Sequence, residues 1–105
     1  MERKDLIMAT FISLVNLTQQ GIRDFKDSPD RAAKYGSMAE KAGAKVKDVY
    51  WAIGSYDAVI VMEAPNDETA AAVMLGLGSF GNVRTQTMRA FDSSEMEEII
   101  SKVPD

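Results

Sequence analysis

The chain contains no cysteine and no histidine among its 105 residues. These two absences exclude disulfides, thiol nucleophiles, histidine-based triads and ordinary zinc sites. A carboxylate-held Mg²⁺ or Ca²⁺ is not excluded by them, yet no acidic stretch has the spacing of a calcium loop. Metal sites and cofactors are therefore not expected. Basic clustering is also missing. Twelve Lys and Arg are scattered against sixteen Asp and Glu, for a formal net charge of −4. Nucleic-acid binding draws most of its affinity from phosphate neutralisation by a concentrated basic surface, so nucleic acid is not an expected partner. No apolar run approaches the ~18 residues of a membrane span, so a membrane is not expected either.

What is present is ordinary for one globular domain: 46% hydrophobic and 27% charged residues. The opening MERKDLIMATFISLV has charge followed by an apolar run, but it lacks an A-x-A-like cleavage site. Residues Met1 to Asp5 read as a solvated leader, with Met8 as an alternative start. The expected organisation is a leader over 1–7 and one domain over 8–105, in the cytoplasm.

Met8–Asn16 is rich in β-branched and large apolar residues and reads as a strand covered on both faces. Thr18 offers an N-cap to a short helical stretch carrying Ile22 and Phe25. Ser28-Pro29-Asp30 suits the start of a longer helix, because a first-turn proline lacks only an N–H that has no partner there. Arg31, Lys34, Glu40 and Lys41 share one side of this helix, and Ala32, Tyr35, Gly36 and Ala39 the other. Gly43 is its expected left-handed end.

Two further strands, Val46–Ile53 and Asp57–Ala64, flank Gly54-Ser55, which is suited to a two-residue type II′ hairpin loop. The implied register sets Trp51 opposite Ala58 and Val49 opposite Ile60. Period-two alternation then sorts Val49, Trp51, Ile53, Tyr56, Ala58, Ile60 and Met62 to one face, a sorting that a four-residue loop would shift at the ends but preserve. Asp48, Tyr50, Ala52, Asp57, Val59, Val61 and Glu63 fall on the other. Pro65–Glu68 is a helix entry with acidic residues at the positive end of the dipole. The helix Thr69–Gly78 has almost no polar side and requires cover on more than one flank, from the last helix or from another chain. Val83–Phe91 is a fourth strand. Ser93 or Ser94 caps a last helix whose Met96, Ile99, Ile100 and Val103 form an i, i+3, i+4, i+7 stripe.

The order is β-α-β-β-α-β plus a terminal helix: a ferredoxin-like α+β pattern with an antiparallel four-stranded sheet and both helices on one face. Strands apolar on both faces leave the second face in need of cover. A second copy laid sheet against sheet supplies it, so a homodimer or higher homo-oligomer, a dimeric α+β barrel, is expected.

Tyr50-Trp51-Ala52-Ile53-Gly54-Ser55-Tyr56-Asp57 and the following Glu63–Glu68 resemble the GYD-domain family, named for a Gly, Tyr and Asp in this hairpin. Gly21-Ile22-Arg23, Asp27-Ser28-Pro29, Gly81–Thr85 and Arg89-Ala90-Phe91 resemble its other recurrent segments. The resemblance spans nearly everything from Met8 to Ser93, and the terminal helix is less clearly part of it. It implies a ferredoxin-like, dimeric α+β barrel and carries no reaction with it.

Tyr56 and Asp57, with Gly54, are candidate ligand contacts. In the plainer reading the glycine makes the turn, the tyrosine caps a core edge and Asp57 bonds nearby backbone. Asp48, Tyr50 and Glu63, joined by Arg84 or Arg89, are candidate acid/base groups, since carboxylates partly buried side by side acquire raised pKa values. Pairing with an arginine makes them structural instead. Trp51 and Tyr35 read as core or interface aromatics, and Met62, Met74 and Met88 as gap-fillers or pocket lining. Gly76–Gly81 is glycine-rich, but it follows a helix rather than opening one, which is the wrong order for a phosphate cradle. Three functions fit: a small-molecule-binding or sensory module, a cofactor-free enzyme of monooxygenase or isomerase type, and a structural or protein-interaction domain.

Overall fold

Alternation along the first strand decides how the layers form. In the computed structural model, which describes residues 7–105, β1 (Ala9–Leu17) buries Phe11, Ser13 and Val15 and leaves Ile12, Leu14 and Asn16 half-buried on the opposite side. The remaining strands are β2 (Lys45–Trp51), β3 (Ala58–Ala64) and β4 (Val83–Ala90). They assemble as one antiparallel sheet in the order β2-β3-β1-β4. Helices α2 (Ser28–Lys41) and α3 (Asp67–Ser79) lie on one face, making this an α+β ferredoxin-like fold. The proposed leader lies mostly outside the described residues.

Between sheet and helices sits the core: Phe11, Val15, Tyr35, Ala39, Ile60, Met62, Val73 and Met74 are all buried. One polar chain crosses it. The Ser13 hydroxyl donates to Met74 Sδ at 3.5 Å and lies 2.8 Å from Thr87 Oγ1, so Thr87 is left as the donor to Ser13. The Tyr35 hydroxyl also donates to Met74 Sδ, at 3.1 Å. No hydroxyl in this group is left without a partner, as burial requires.

Local signals account for most element ends. Thr18 caps α1 (Gln19–Arg23) by accepting from the Gly21 N–H at 3.0 Å. Asn66 caps α3 through the Thr69 N–H at 2.8 Å, with Asp67 and Glu68 in the first turn. Gly43, at φ +93°, ends α2 with the paired bonds of a Schellman motif: Ala44 N–H to Ala39 O and Gly43 N–H to Glu40 O, both 3.0 Å. Pro29 occupies the first turn of α2, but Ser28 does not cap it. Its Oγ accepts from Arg31 instead, and Asp27, the N-cap residue, makes no side-chain cap bond.

Two expectations are corrected here. The β2–β3 register is as read, with Trp51 opposite Ala58 and Val49 opposite Ile60, but the connection is not a two-residue turn. Ile53–Tyr56 form a four-residue loop closed by the Ala52 N–H on Asp57 O at 2.8 Å. Both strands stop short because Asp57 is held by β1: its N–H donates to Val15 O, and its carboxylate accepts the Leu17 N–H, each at 2.8 Å. The sorting of faces therefore fails at the tip. Ile53 is fully exposed, and Tyr56 donates across to Gln86 Oε1 at 3.4 Å.

The last helix, α4 (Ser93–Ser101), is capped by Asp92 rather than Ser93 or Ser94. Asp92 accepts the Glu95 N–H at 2.8 Å while Glu95 accepts the Asp92 N–H at 3.0 Å, a reciprocal capping box. Within the one chain α3 is buried along one flank only, which leaves its other flank open to a second chain. Ala70, Val73 and Met74 face the core, while Leu75 is 75% exposed. Among the described residues no helix is long and apolar enough to cross a membrane.

Candidate functional site

The helix layer does not seal the sheet. Near the C-terminal end of β1 a cleft of about 410 Å³ opens between α2, α3 and strands β1 to β3. Its walls are mostly apolar, including Val15, Val49, Ile60, Met38 and Leu77. Trp51, 52% exposed, lines its β2 side. Past Leu17, Ser28, Trp51 and Asp57 the cleft continues into a shallower groove flanked by Ile22, Phe25 and Pro29. An apolar concavity of this size with a few convergent polar groups has the character of a small-molecule site.

The polar end is built by α1. Gly21 packs so closely on the segment before β4 that a Cβ there would lie 2.0 Å from Asn82 O. Thr18 N–H donates to Asn82 O at 3.0 Å, the Thr18 hydroxyl to Gly81 O at 2.6 Å, and Gln20 Nε2 to Asn82 Oδ1 at 3.0 Å. Arg31 then ties α2 to α1, donating from Nη1 to Asp24 O at 3.0 Å and from Nη2 to Gly21 O at 3.3 Å. These carbonyls lie at the C-terminal end of α1, where helical carbonyls lack internal partners, so a guanidinium is well placed to satisfy them. Arg31, Asn82, Ser28 and Asp57 all line the cleft as a result.

The structure divides the motif hairpin. Gly54 sits in the loop at φ +142°, a backbone region that side chains disfavour. Asp57 lines the cleft, while Tyr56 reaches Gln86 on β4 at the opposite face of the sheet. The two are not brought together.

Of the candidate acid/base groups, Asp48, Tyr50 and Glu63 share the helix-free face of neighbouring strands β2 and β3, as read from the alternation, and the arginines stand apart from them. Asp48 and Tyr50 stand on edge strand β2, opposite Val61 and Val59, and Glu63 is opposite Lys45 and Thr10. Arg84 and Arg89 belong to β4, the other edge. Three inter-strand spacings put the two edges about 14 Å apart. Arg89 lies on the helix-side face, stacked 4.5 Å from the Phe91 ring centroid and 5.7 Å from that of Phe11. It bonds Thr10 O at 3.3 Å and Ala90 O, and pairs with Glu95 of α4 at 3.4 Å. None of Asp48, Tyr50, Glu63 or Arg89 lines the cleft. Among the described residues no three acidic side chains group as a metal site.

Tyr35 is the core member of this region, and burial pushes its hydroxyl up to about 12. A folded-state pKa above the unfolded value near 10 means that the unfolded chain loses this proton first. Stability associated with Tyr35 is thus intact below pH 10 and falls as pH rises toward 12. Wild-type protein is expected to lose on the order of 2 kcal/mol from this source between pH 9.5 and 12. Tyr35→Phe, which has no such proton, closes the gap between the two proteins over that range. Urea titrations of both at matched pH values measure it, and a constant difference contradicts the assignment.

Comparison with known proteins agrees with the fold and the family resemblance. The GYD domain family model matches residues 11–100, and the chain belongs to that family. A Thermus thermophilus protein described as "Glutamine synthetase and cystathionine beta-lyase binding protein" is 36% identical over 90 residues, covering 85% of this chain and 95% of that one. The crystal structure of MtbAldR matches with a TM-score of 0.57 and 13% identity, covering 89% of this chain. This chain spans 60% of that solved structure, and the likeness is one of fold.

Sequence reading did not pick out Arg31, Lys34, Ser28 or Asn82 as site residues. Arg31 and Lys34 lay on the charged side of an amphipathic helix, a pattern shared by every solvated helix. The available signal was the recurrence of Gly21 and Gly81-Asn82 in the family-like segments, which the fold brings into contact at the cleft.

Proposed function

We propose that this chain is a binding module that holds a small molecule in the α2–α3 cleft and works as a homo-oligomer whose open sheet faces cover one another. The carrying observation is the cleft: about 410 Å³, apolar along its walls and polar at one end. The four acid/base candidates lie outside it, so binding has more support than a cofactor-free reaction there.

A neutral apolar dye such as Nile red is expected to bind the protein at one molecule per chain and to quench Trp51, the only tryptophan. Ala32 lines the cleft, and Ala32→Phe fills it. That variant should fold with unchanged circular dichroism and lose dye affinity at least tenfold. Equal binding by both proteins places the dye elsewhere and defeats this reading.

A second reading, docking on an enzyme, draws on the name of the Thermus thermophilus relative and on α4. Met96 and Ile100 are exposed on that helix, which has no buried residue, and Val103 is exposed just beyond it. Both readings fit one protein, a ligand-responsive module with the cleft as sensor. Sedimentation with a purified glutamine synthetase, with and without the cleft blocked, separates them.

A further inference from the structure

Resting on the ligand-binding reading, the sense of the hydrogen-bonding groups around the cleft narrows the ligand's chemistry. Asn82 Oδ1 already accepts from Gln20, which leaves its amide hydrogens as the groups on offer. Ser28 Oγ accepts from Arg31 Nη2 at 3.3 Å and keeps its own hydrogen to donate. Arg31 directs Nη1 and Nη2 to two carbonyls and this hydroxyl, and its guanidinium carries five N–H in all. Lys34 lies one turn along α2 and also lines the cleft. Asp57 has committed Oδ2 to the Leu17 N–H. The neighbouring acidic residues Asp24, Asp27 and Asp30 do not line the cleft. Two positive charges, one of them held in place by its hydrogen bonds, and several spare donors therefore line the cleft against one partly occupied carboxylate.

We propose that the cleft takes a small apolar carboxylic acid, its hydrocarbon body against Trp51, Val49 and Leu77 and its carboxylate at the Arg31–Asn82 end. The complementarity is of two kinds. An apolar body replaces water along greasy walls, and a carboxylate accepts charge-assisted hydrogen bonds that a neutral group receives more weakly.

The test titrates the full chain with 3-phenylpropanoate, its amide and 3-phenylpropylamine, followed through Trp51 fluorescence. The acid is expected to saturate, with the amide at least tenfold weaker and the amine weaker still. Lys34→Gln should weaken the acid about fivefold and leave the amide unchanged, and added salt should do the same. Lys34 is the residue of choice because Arg31 also holds α1 to α2. Equal affinity for acid and amide, or a preference for the amine, overturns the acid assignment while the cleft stands as a ligand site. Nile red binding without binding of any of the three probes does likewise. Failure of dye and probes together removes the ligand-binding reading itself.

Discussion

Gly21→Ala is expected to destabilise the protein by about 3 kcal/mol or more, the range reached when backbone is forced apart inside a packed contact. The added Cβ would meet Asn82 O at 2.0 Å and the Asn82 carbonyl carbon at 2.9 Å, backbone atoms that no rotamer change can move. Relief requires α1 to lift from the segment before β4, which sacrifices the Thr18 N–H bond to Asn82 O and the Thr18 hydroxyl bond to Gly81 O. Arg31, anchored on Gly21 O, then loses its hold, so the cleft's polar end loosens with the fold. Gly36→Ala is the contrasting control. It lies inside α2, a Cβ there meets nothing within 4 Å, and the exchange should stabilise by about 0.5–1 kcal/mol through helix propensity. Urea midpoints of the two variants should move in opposite directions. A Gly21→Ala protein as stable as wild type means that α1 does not sit as described.

The same contact marks how far the sequence could be read. The β2–β3 register was legible because period-two alternation and a glycine-bearing loop both point to Trp51 opposite Ala58. The tip was not, because Asp57 is claimed by Val15 and Leu17, forty residues away, and hairpin propensity carries no information about such a partner. Helix α2 was legible in its buried side, Tyr35 and Ala39, and in its glycine end. Its role in the cleft was not. A cleft depends on how far apart packed elements stand, and the residues facing it obey the same periodicity as core and surface. Asp57 was picked out, but through a resemblance; Arg31 looked like any other charge on a solvated helix. The one-flank burial of α3 shows the converse limit. An all-apolar helix signals that cover is needed, and within one chain the sheet covers only the Ala70–Val73–Met74 side.

Ile12→Lys is expected to raise the dissociation constant of the proposed homodimer at least 100-fold. Ile12 stands on central strand β1, with Val61 of β3 and Met88 of β4 as its cross-strand neighbours on the face without helices. Leu14 and Val59 lie beside them, giving an apolar patch at the middle of that face. A monomer leaves this patch in water, and a second sheet laid on it removes apolar area at roughly 25 cal/mol per Å². A symmetric interface meets each substitution twice, so one lysine introduces two charges into the covered patch. Burying an unpaired ammonium costs several kcal/mol, whereas in the free subunit the long side chain bends to solvent at little cost. The loss should therefore appear in association rather than in folding. Leu75→Lys, on the outer flank of α3, places an equal charge on an already exposed position and should leave association unchanged. Sedimentation equilibrium at micromolar concentration measures all three proteins. If the wild type sediments as a folded monomer, the exposed face has no second copy to cover it, and Ile12, Leu14, Val59 and Val61 must be sought by a different partner.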